Sequence, residues 1–336
     1  MKMYILVTGA TGFIGKRLVK YLVEEKRLVR CLVRESSNID DLLKLKVDIV
    51  KGDLNDINSL KNAMNQVSVI YHLAANAHPS LVKSSKIYQQ TNVEGTRNLL
   101  EAACQTNVQK IVLMSSIAAT GPSRNGELLT EKSKRKPITH YGRSKVAVED
   151  LAKEYQQKKA LPIVVIRPPM VYGIGDKDWL NFFKIIYRCA LKNQCLPIPG
   201  EHNNLFDFCY VDNLVFGLIA AGESENTIGE TYFISDNRPY QLKEIISAVV
   251  GEFKTTYPKK TWPKWFAMSF ATLLEGMGRL FRFEPPLCRR DVKWMTTNYW
   301  VCDCSKAKKE FGYDPKFTLS DGIKSTLSWA KSENLI

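Results

Sequence analysis

The chain has 336 residues, 45% of them hydrophobic and 24% charged, a balance that fits a soluble globular protein and excludes a disordered one. Its 48 basic against 34 acidic side chains give a net charge of +14, which favours anionic partners such as phosphates or acidic lipids. The one dense basic cluster, Lys132 to Lys136, has no interleaved aromatics, so no nucleic-acid platform is expected.

A strand-like run, Tyr4–Val7, follows only three residues, which leaves no space for a basic start and an apolar signal stretch. A cytoplasmic location is therefore expected. No apolar run approaches the ~20 residues that cross a bilayer. The eight cysteines, at positions 31, 104, 189, 195, 209, 288, 302 and 304, show no CxxC spacing and no adjacent histidine. Free thiols and no metal site are the expectation.

In chain order, strands are predicted at Tyr4–Val7, Val29–Val33, Val47–Val50, Val69–Leu73, Ile111–Met114 and Ile163–Ile166. Between them, helical periodicity marks Ile14–Val23, Ser59–Met64, Asn92–Cys104 and Val146–Lys158. Such alternation implies an α/β fold with a parallel, doubly wound sheet and a ligand at the carboxyl ends of its strands. After Arg167 the alternation breaks at Pro168 and Pro169. An aromatic-rich helix near Trp179–Cys189, a Pro/Gly loop at Leu196–Gly200, a strand at Phe206–Val211 and a helix from Asp212 follow. Residues 1–167, with 205–235 returning, are read as a dinucleotide-binding domain. Residues 168–204 and 236–336 are read as a smaller, mostly helical substrate lobe.

The first strand runs into Thr8-Gly9-Ala10-Thr11-Gly12-Phe13-Ile14-Gly15 and then into the first helix. Glycines there permit a tight turn and close approach of a ligand, and the helix amino terminus offers unpaired N–H groups to a pyrophosphate. Gly9, Thr11, Gly12, Phe13, Ile14 and Gly15 are therefore candidate cofactor contacts. The second strand ends in Val33-Arg34-Glu35. Arg34 suits a 2′-phosphate, which favours NADP(H) over NAD(H), while Glu35 keeps NAD open.

Further on, Met114-Ser115-Ser116 ends a predicted strand, and Tyr141-Gly142-Arg143-Ser144-Lys145 sets a phenol and an ammonium four residues apart. On a helix that spacing shares one face. A fixed cation beside tyrosine is expected to lower its pKa from about 10 toward the range useful for proton transfer. Ser116, Tyr141 and Lys145 are the candidate catalytic set.

TGATGFIG, GDL at Gly52–Leu54, HLAA at His72–Ala75, NVEGTRNLLEA at Asn92–Ala102, SSIAATG at Ser115–Gly121, YGRSK, RPPMVYGIGD at Arg167–Asp176 and YVDN at Tyr210–Asn213 occur in this order. Together they resemble the extended short-chain dehydrogenases, with a Rossmann-type fold, over nearly the whole chain. The resemblance implies Asp53 and Leu54 near adenine, Leu73, Ala74 and Ala75 along the cofactor, and Pro168 and Val171 near nicotinamide. It also implies a homodimer formed by the helices after Asn92 and from Tyr141 to Lys158.

Nucleotide-sugar dehydratases of this family carry Asp-Glu after the serine, where Ile117-Ala118 stand here. Epimerases often place an arginine where Leu205–Phe208 is apolar, although Arg289 or Arg290 could substitute. The chain is more similar to the 3β-hydroxysteroid dehydrogenase-like branch. Alcohol–ketone oxidoreduction on a sterol-, hopanoid- or oxoalkanoate-like substrate is expected. Nucleotide-sugar epimerisation is the alternative, and a catalytically inert dinucleotide sensor is disfavoured by the complete Ser/Tyr/Lys set. Between Trp262 and Phe283, apolar residues 266, 270, 273, 274, 277 and 281 form one helix face. That face could line the pocket, touch a membrane surface or only pack.

Overall fold

The computed structural model describes residues 3–77, 85–192, 194–199, 203–258, 261–281, 283, 285, 287–296 and 299–336. Its strands are β1 (Tyr4–Thr8), β2 (Val29–Val33), β3 (Asp48–Lys51), β4 (Val67–His72), β5 (Lys110–Met114), β6 (Ile163–Arg167), β7 (Met170–Tyr172), β8 (Leu196–Pro199), β9 (Leu205–Tyr210), β10 (Thr231–Phe233), β11 (Pro239–Gln241) and β12 (Thr261–Trp262). In the first half its helices are α1 (Phe13–Glu24), α2 (Asp40–Lys44), α3 (Ile57–Ala63), α4 (Ser85–Tyr88), α5 (Gly95–Ala103) and α6 (His140–Lys159). The second half adds α7 (Lys177–Leu191), α8 (Val211–Glu223), α9 (Leu242–Glu252), α10 (Lys264–Phe281), α11 (Arg289–Thr296), α12 (Ser305–Phe311) and α13 (Leu319–Ser332).

Seven strands form one sheet in the order β10-β6-β5-β4-β1-β2-β3, every neighbouring pair parallel. Side chains alternate between its two faces. Leu6, Leu32, Ile70, Ile111 and Leu113 join a core with α3, α5 and α6, while Val7, Cys31, Val33 and Val112 join the opposite core with α1 and α8. Both faces are thus covered, as an all-parallel sheet requires. The chain reverses its winding between β1 and β4, where Thr8 and His72 lie side by side. A Rossmann-type α/β fold with its crevice at that switch point results.

A third core, built from Phe183, Phe206, Phe208, Tyr240, Ile245 and Ile323 among others, fills the space under the three-stranded sheet β11-β9-β7. β9 belongs to this small sheet, whereas α8 packs beneath β5 and β6, and β10 extends the large sheet. The expected loop at Leu196–Gly200 is instead strand β8 over Leu196–Pro199, paired with β12. Proline is tolerated there because the sheet has only two strands, and the buried Leu196 and Ile198 alternate with the prolines.

α10 narrows the alternatives for residues 262–283, since none of its residues stands in the lining of the cavity beside Ser116 and Tyr141. Its buried side is the narrow stripe Ala267, Ala271 and Glu275, closed against Val292 of α11. The buried Glu275 carboxylate accepts from the backbone N–H of Arg289 at 2.7 Å and from its guanidinium at 2.9 Å, which ties α11 to α10. The broad apolar face turns outward.

Candidate active site

The phosphate cradle follows from steric necessity. Gly9 adopts φ +74°, and a Cβ on it would stand 2.7 Å from the backbone N of Ala74. A Cβ on Gly15 would stand 2.1 Å from the Gly9 carbonyl oxygen. Only glycine allows β1, α1 and the end of β4 to converge this closely. α1 begins after Gly12 with no capping side chain and no acidic residue in its first turn. Its exposed amino-terminal N–H groups are therefore available to an anion. The residues fit a dinucleotide.

A groove of about 370 Å³ runs over this turn, lined by Gly9, Thr11, Gly12, Arg34, Asp53, Leu54, Leu73, Ala74 and Ala75 together with Thr8, Ser37, Asn76 and Thr91. Of the remaining candidates, Phe13 and Ile14 open α1 and pack against the cores, and Gly15 sits behind Gly9. Arg34 is exposed, and its guanidinium has no ion-pair partner among the described residues. Glu35 is 83% exposed and faces Lys51 instead. At the groove floor His72 bonds Thr8 at 2.8 Å and Thr96 at 2.9 Å, and burial lowers its pKa to about 3. That imidazole is neutral at any physiological pH.

The second part of the site is built by α6. Thr139 caps it by accepting from the Gly142 N–H at 2.9 Å. Gly142 lies so near the turn at 117–119 that a Cβ there would meet the Ala118 carbonyl oxygen at 2.4 Å. This contact brings Tyr141 to Ser116, whose hydroxyl also accepts from the Ala118 N–H at 3.1 Å and hydrogen-bonds the phenol. One turn on, Lys145 donates to the Met114 carbonyl at 2.7 Å, with its ammonium 5.8 Å from the Tyr141 ring centre.

The electrostatics depart from the expectation of a lowered phenol pKa. Burial pushes Tyr141 up to about 12, and the hydrogen bond from Ser116 only partly opposes it. Burial also lowers Lys145 to about 8, against the pull of Glu149. The ammonium is turned toward the Met114 carbonyl and does not offset the desolvation of the phenol. Near neutral pH the pair therefore rests as phenol and ammonium, a form able to donate a proton to a carbonyl oxygen.

Beside Ser116 and Tyr141 opens a cavity of about 550 Å³. Ile117, Ala118, Ile138, Pro169, Met170, Trp179, Phe182, Leu287, Met295 and Trp300 make most of its wall, with Thr139, Asp178, Arg290 and Asp291 as polar members. Pro169 and Met170 stand in this lining, whereas Pro168 and Val171 do not line either cavity. Sequence patterning missed most of these wall residues, which come from six separate segments. It also missed Asn92, buried in a π-helical turn over Gln89–Glu94, which donates to Ser144 at 2.9 Å and exchanges bonds with the Asn76 backbone. Its only sequence signal is its place at the head of the NVEGTRNLLEA run.

Fold and site together define an enzyme that uses a nicotinamide dinucleotide. The family model described as NAD dependent epimerase/dehydratase family matches residues 5–235, and the chain belongs to that family, within the extended short-chain dehydrogenases. The chain is 31% identical over 337 residues to a putative dihydroflavonol 4-reductase of Synechocystis, covering 98% of this chain and 95% of the relative. It is 28% identical to the UDP-glucose 4-epimerase of Vibrio cholerae, covering 96% and 94%. It is 26% identical to 3beta-hydroxysteroid-dehydrogenase/decarboxylase isoform 2 of Arabidopsis thaliana, covering 96% of this chain but 61% of the relative. Among solved structures, that of gox2253 superposes with a TM-score of 0.81 at 28% identity over 99% of both chains.

Proposed function

We propose that the protein interconverts a secondary alcohol and a ketone on an apolar, sterol-, hopanoid- or oxoalkanoate-like substrate. In this reading Tyr141 is the general acid/base, Ser116 holds the substrate oxygen, and Lys145 orients and charges the site. NADP(H) is preferred over NAD(H) through Arg34. The bound nicotinamide supplies or accepts the hydride. Residues 168–204 and 236–336 form the lobe that selects the substrate. A homodimer across α5 and α6 goes with the resemblance, and light scattering at micromolar concentration is expected to give twice the chain mass, a monomer counting against it.

The observation that carries the reading is the wall next to Ser116 and Tyr141. It is aliphatic and aromatic, and Ile117-Ala118 occupy the place where dehydration chemistry would need an acid and a base. Such a wall binds an apolar body and leaves the carbonyl as the polar feature to be recognised. The reductase and steroid dehydrogenase relatives support the same chemistry.

Epimerisation of a nucleotide sugar is the second reading, favoured by Arg290 in the cavity wall and by the epimerase relative. A screen of sterols, β-hydroxy acids and UDP-sugars with both dinucleotides, read by nicotinamide absorbance, separates the two. Net absorbance change on an apolar alcohol or ketone supports the first. Conversion of a UDP-sugar with no net change supports the second.

A further inference from the structure

α10 presents its large side chains to solvent. Trp265 is 71% exposed, Leu280 76% and Phe281 66%, with Phe270, Leu273 and Met277 between them. The spacing of Phe266, Phe270, Leu273, Met277 and Phe281 by three or four residues puts them on one arc, and no ionisable residue falls on that arc. The rings at its start are held in place, since Trp262 and Trp265 meet Phe266 edge-on and Phe266 stacks on Phe270. A folded monomer rarely exposes a continuous apolar surface of this kind without a partner for it.

Charge identifies the partner. Residues 259–293 carry eight Lys or Arg against three Asp or Glu. Lys264 at the head of α10 and Lys293 on α11 are exposed. A twofold contact between two copies would set this basic excess against itself. An anionic lipid surface complements it while taking up the aromatic and aliphatic face. No described helix is long and apolar enough to cross a membrane, so α10 would lie in the interface plane.

We infer that α10 is a membrane-surface docking helix for bilayers containing anionic lipid. The other side of this helix carries α11, whose Arg290, Asp291 and Met295 line the catalytic cavity, so docking sets the cavity wall directly behind the lipid contact. The inference does not depend on the substrate assignment, because binding to vesicles needs no turnover.

The test is flotation of the full chain with phosphatidylcholine vesicles, with and without phosphatidylglycerol, for wild type and for a Trp265→Ser, Leu280→Ser double variant. Both positions are solvent-exposed and remote from the dinucleotide groove, so the variant should fold and bind dinucleotide as wild type does. Wild type should float with the anionic vesicles and lose binding as salt rises. The variant should bind at least about tenfold more weakly. No flotation of wild type on either vesicle would overturn the inference, as would equal flotation of the folded variant. A salt-stable dimer that the same substitutions dissociate, without vesicle binding, would assign the face to a second copy instead.

Discussion

Arg34 stands exposed at the rim of the dinucleotide groove, and the neighbouring acid, Glu35, is turned to Lys51. Under the proposed preference for NADP(H), the Arg34 guanidinium meets the 2′-phosphate, a charge-assisted contact worth roughly 1.5–3 kcal/mol. Arg34→Ala should therefore weaken NADP(H) about tenfold or more and NAD(H) little, as measured by fluorescence titration. Equal losses would remove Arg34 from cofactor choice. A second residue shows how burial shapes stability. The Asp236 carboxyl takes N–H donors from Tyr210 and Asn213 on one oxygen, and its other oxygen has no hydrogen-bond partner among the described residues. Burial raises its pKa from 3.8 to about 7. Between those values the native protein keeps a proton that the unfolded chain releases, so stability falls as pH rises through the window. Asp236→Asn keeps the acceptor oxygen and removes the titration. Its Tm should exceed that of wild type by a margin that grows from pH 4 to pH 7. A constant margin, or none, would contradict the assignment.

At the scale of elements, the site depends on how closely α6 approaches the turn at 117–119. Gly142→Ala would push a methyl into the Ala118 carbonyl, where the gap is 2.4 Å, and would lift Tyr141 away from Ser116. Turnover should fall by about a hundredfold, while dinucleotide affinity, made at α1 and β4, stays near wild type. A variant with native turnover would show that this contact does not set the geometry. The same element explains what could be read in advance. The glycine turn after β1 and the i, i+4 spacing of Tyr141 and Lys145 obey local rules, so sequence patterning suffices to locate them. Six strands of the sheet were legible for the same reason, through alternating buried strands and amphipathic helices, whereas the three-residue edge strand β10 was too short to show a pattern. The cavity wall was not legible, because Ile138, Trp179, Leu287 and Trp300 meet only after the chain has folded. The apolar periodicity of α10 announced a helix face but carried no information on which side would be covered. The small Ala267 and Ala271, rather than the large rings, proved to be the packed side. The phenol pKa was misjudged because spacing shows that a lysine is near, not that its ammonium points to a backbone carbonyl.

Across the whole molecule, the parallel sheet carries the glycine turn and its groove at the switch point, and an apolar wall stands beside Ser116 and Tyr141. The seven strands and the two cores flanking them hold Thr8, His72 and Leu113 in register. The cavity beside them draws on segments from residue 116 to residue 300, so its apolar character is a property of the complete chain. In the proposed reaction Tyr141 moves the proton in a net reduction or oxidation of an apolar substrate. Tyr141→Phe removes only the ionisable oxygen and leaves the ring that packs near Tyr88. The most direct measurement follows nicotinamide absorbance with NADPH and an apolar ketone for wild type and Tyr141→Phe, with dinucleotide affinity determined on both. Steady NADPH consumption by wild type, a loss of about 10²–10⁴-fold in the variant and unchanged affinity are expected. Near-native turnover by Tyr141→Phe, or a wild-type enzyme that converts only nucleotide sugars with no net absorbance change, would contradict the proposed reaction.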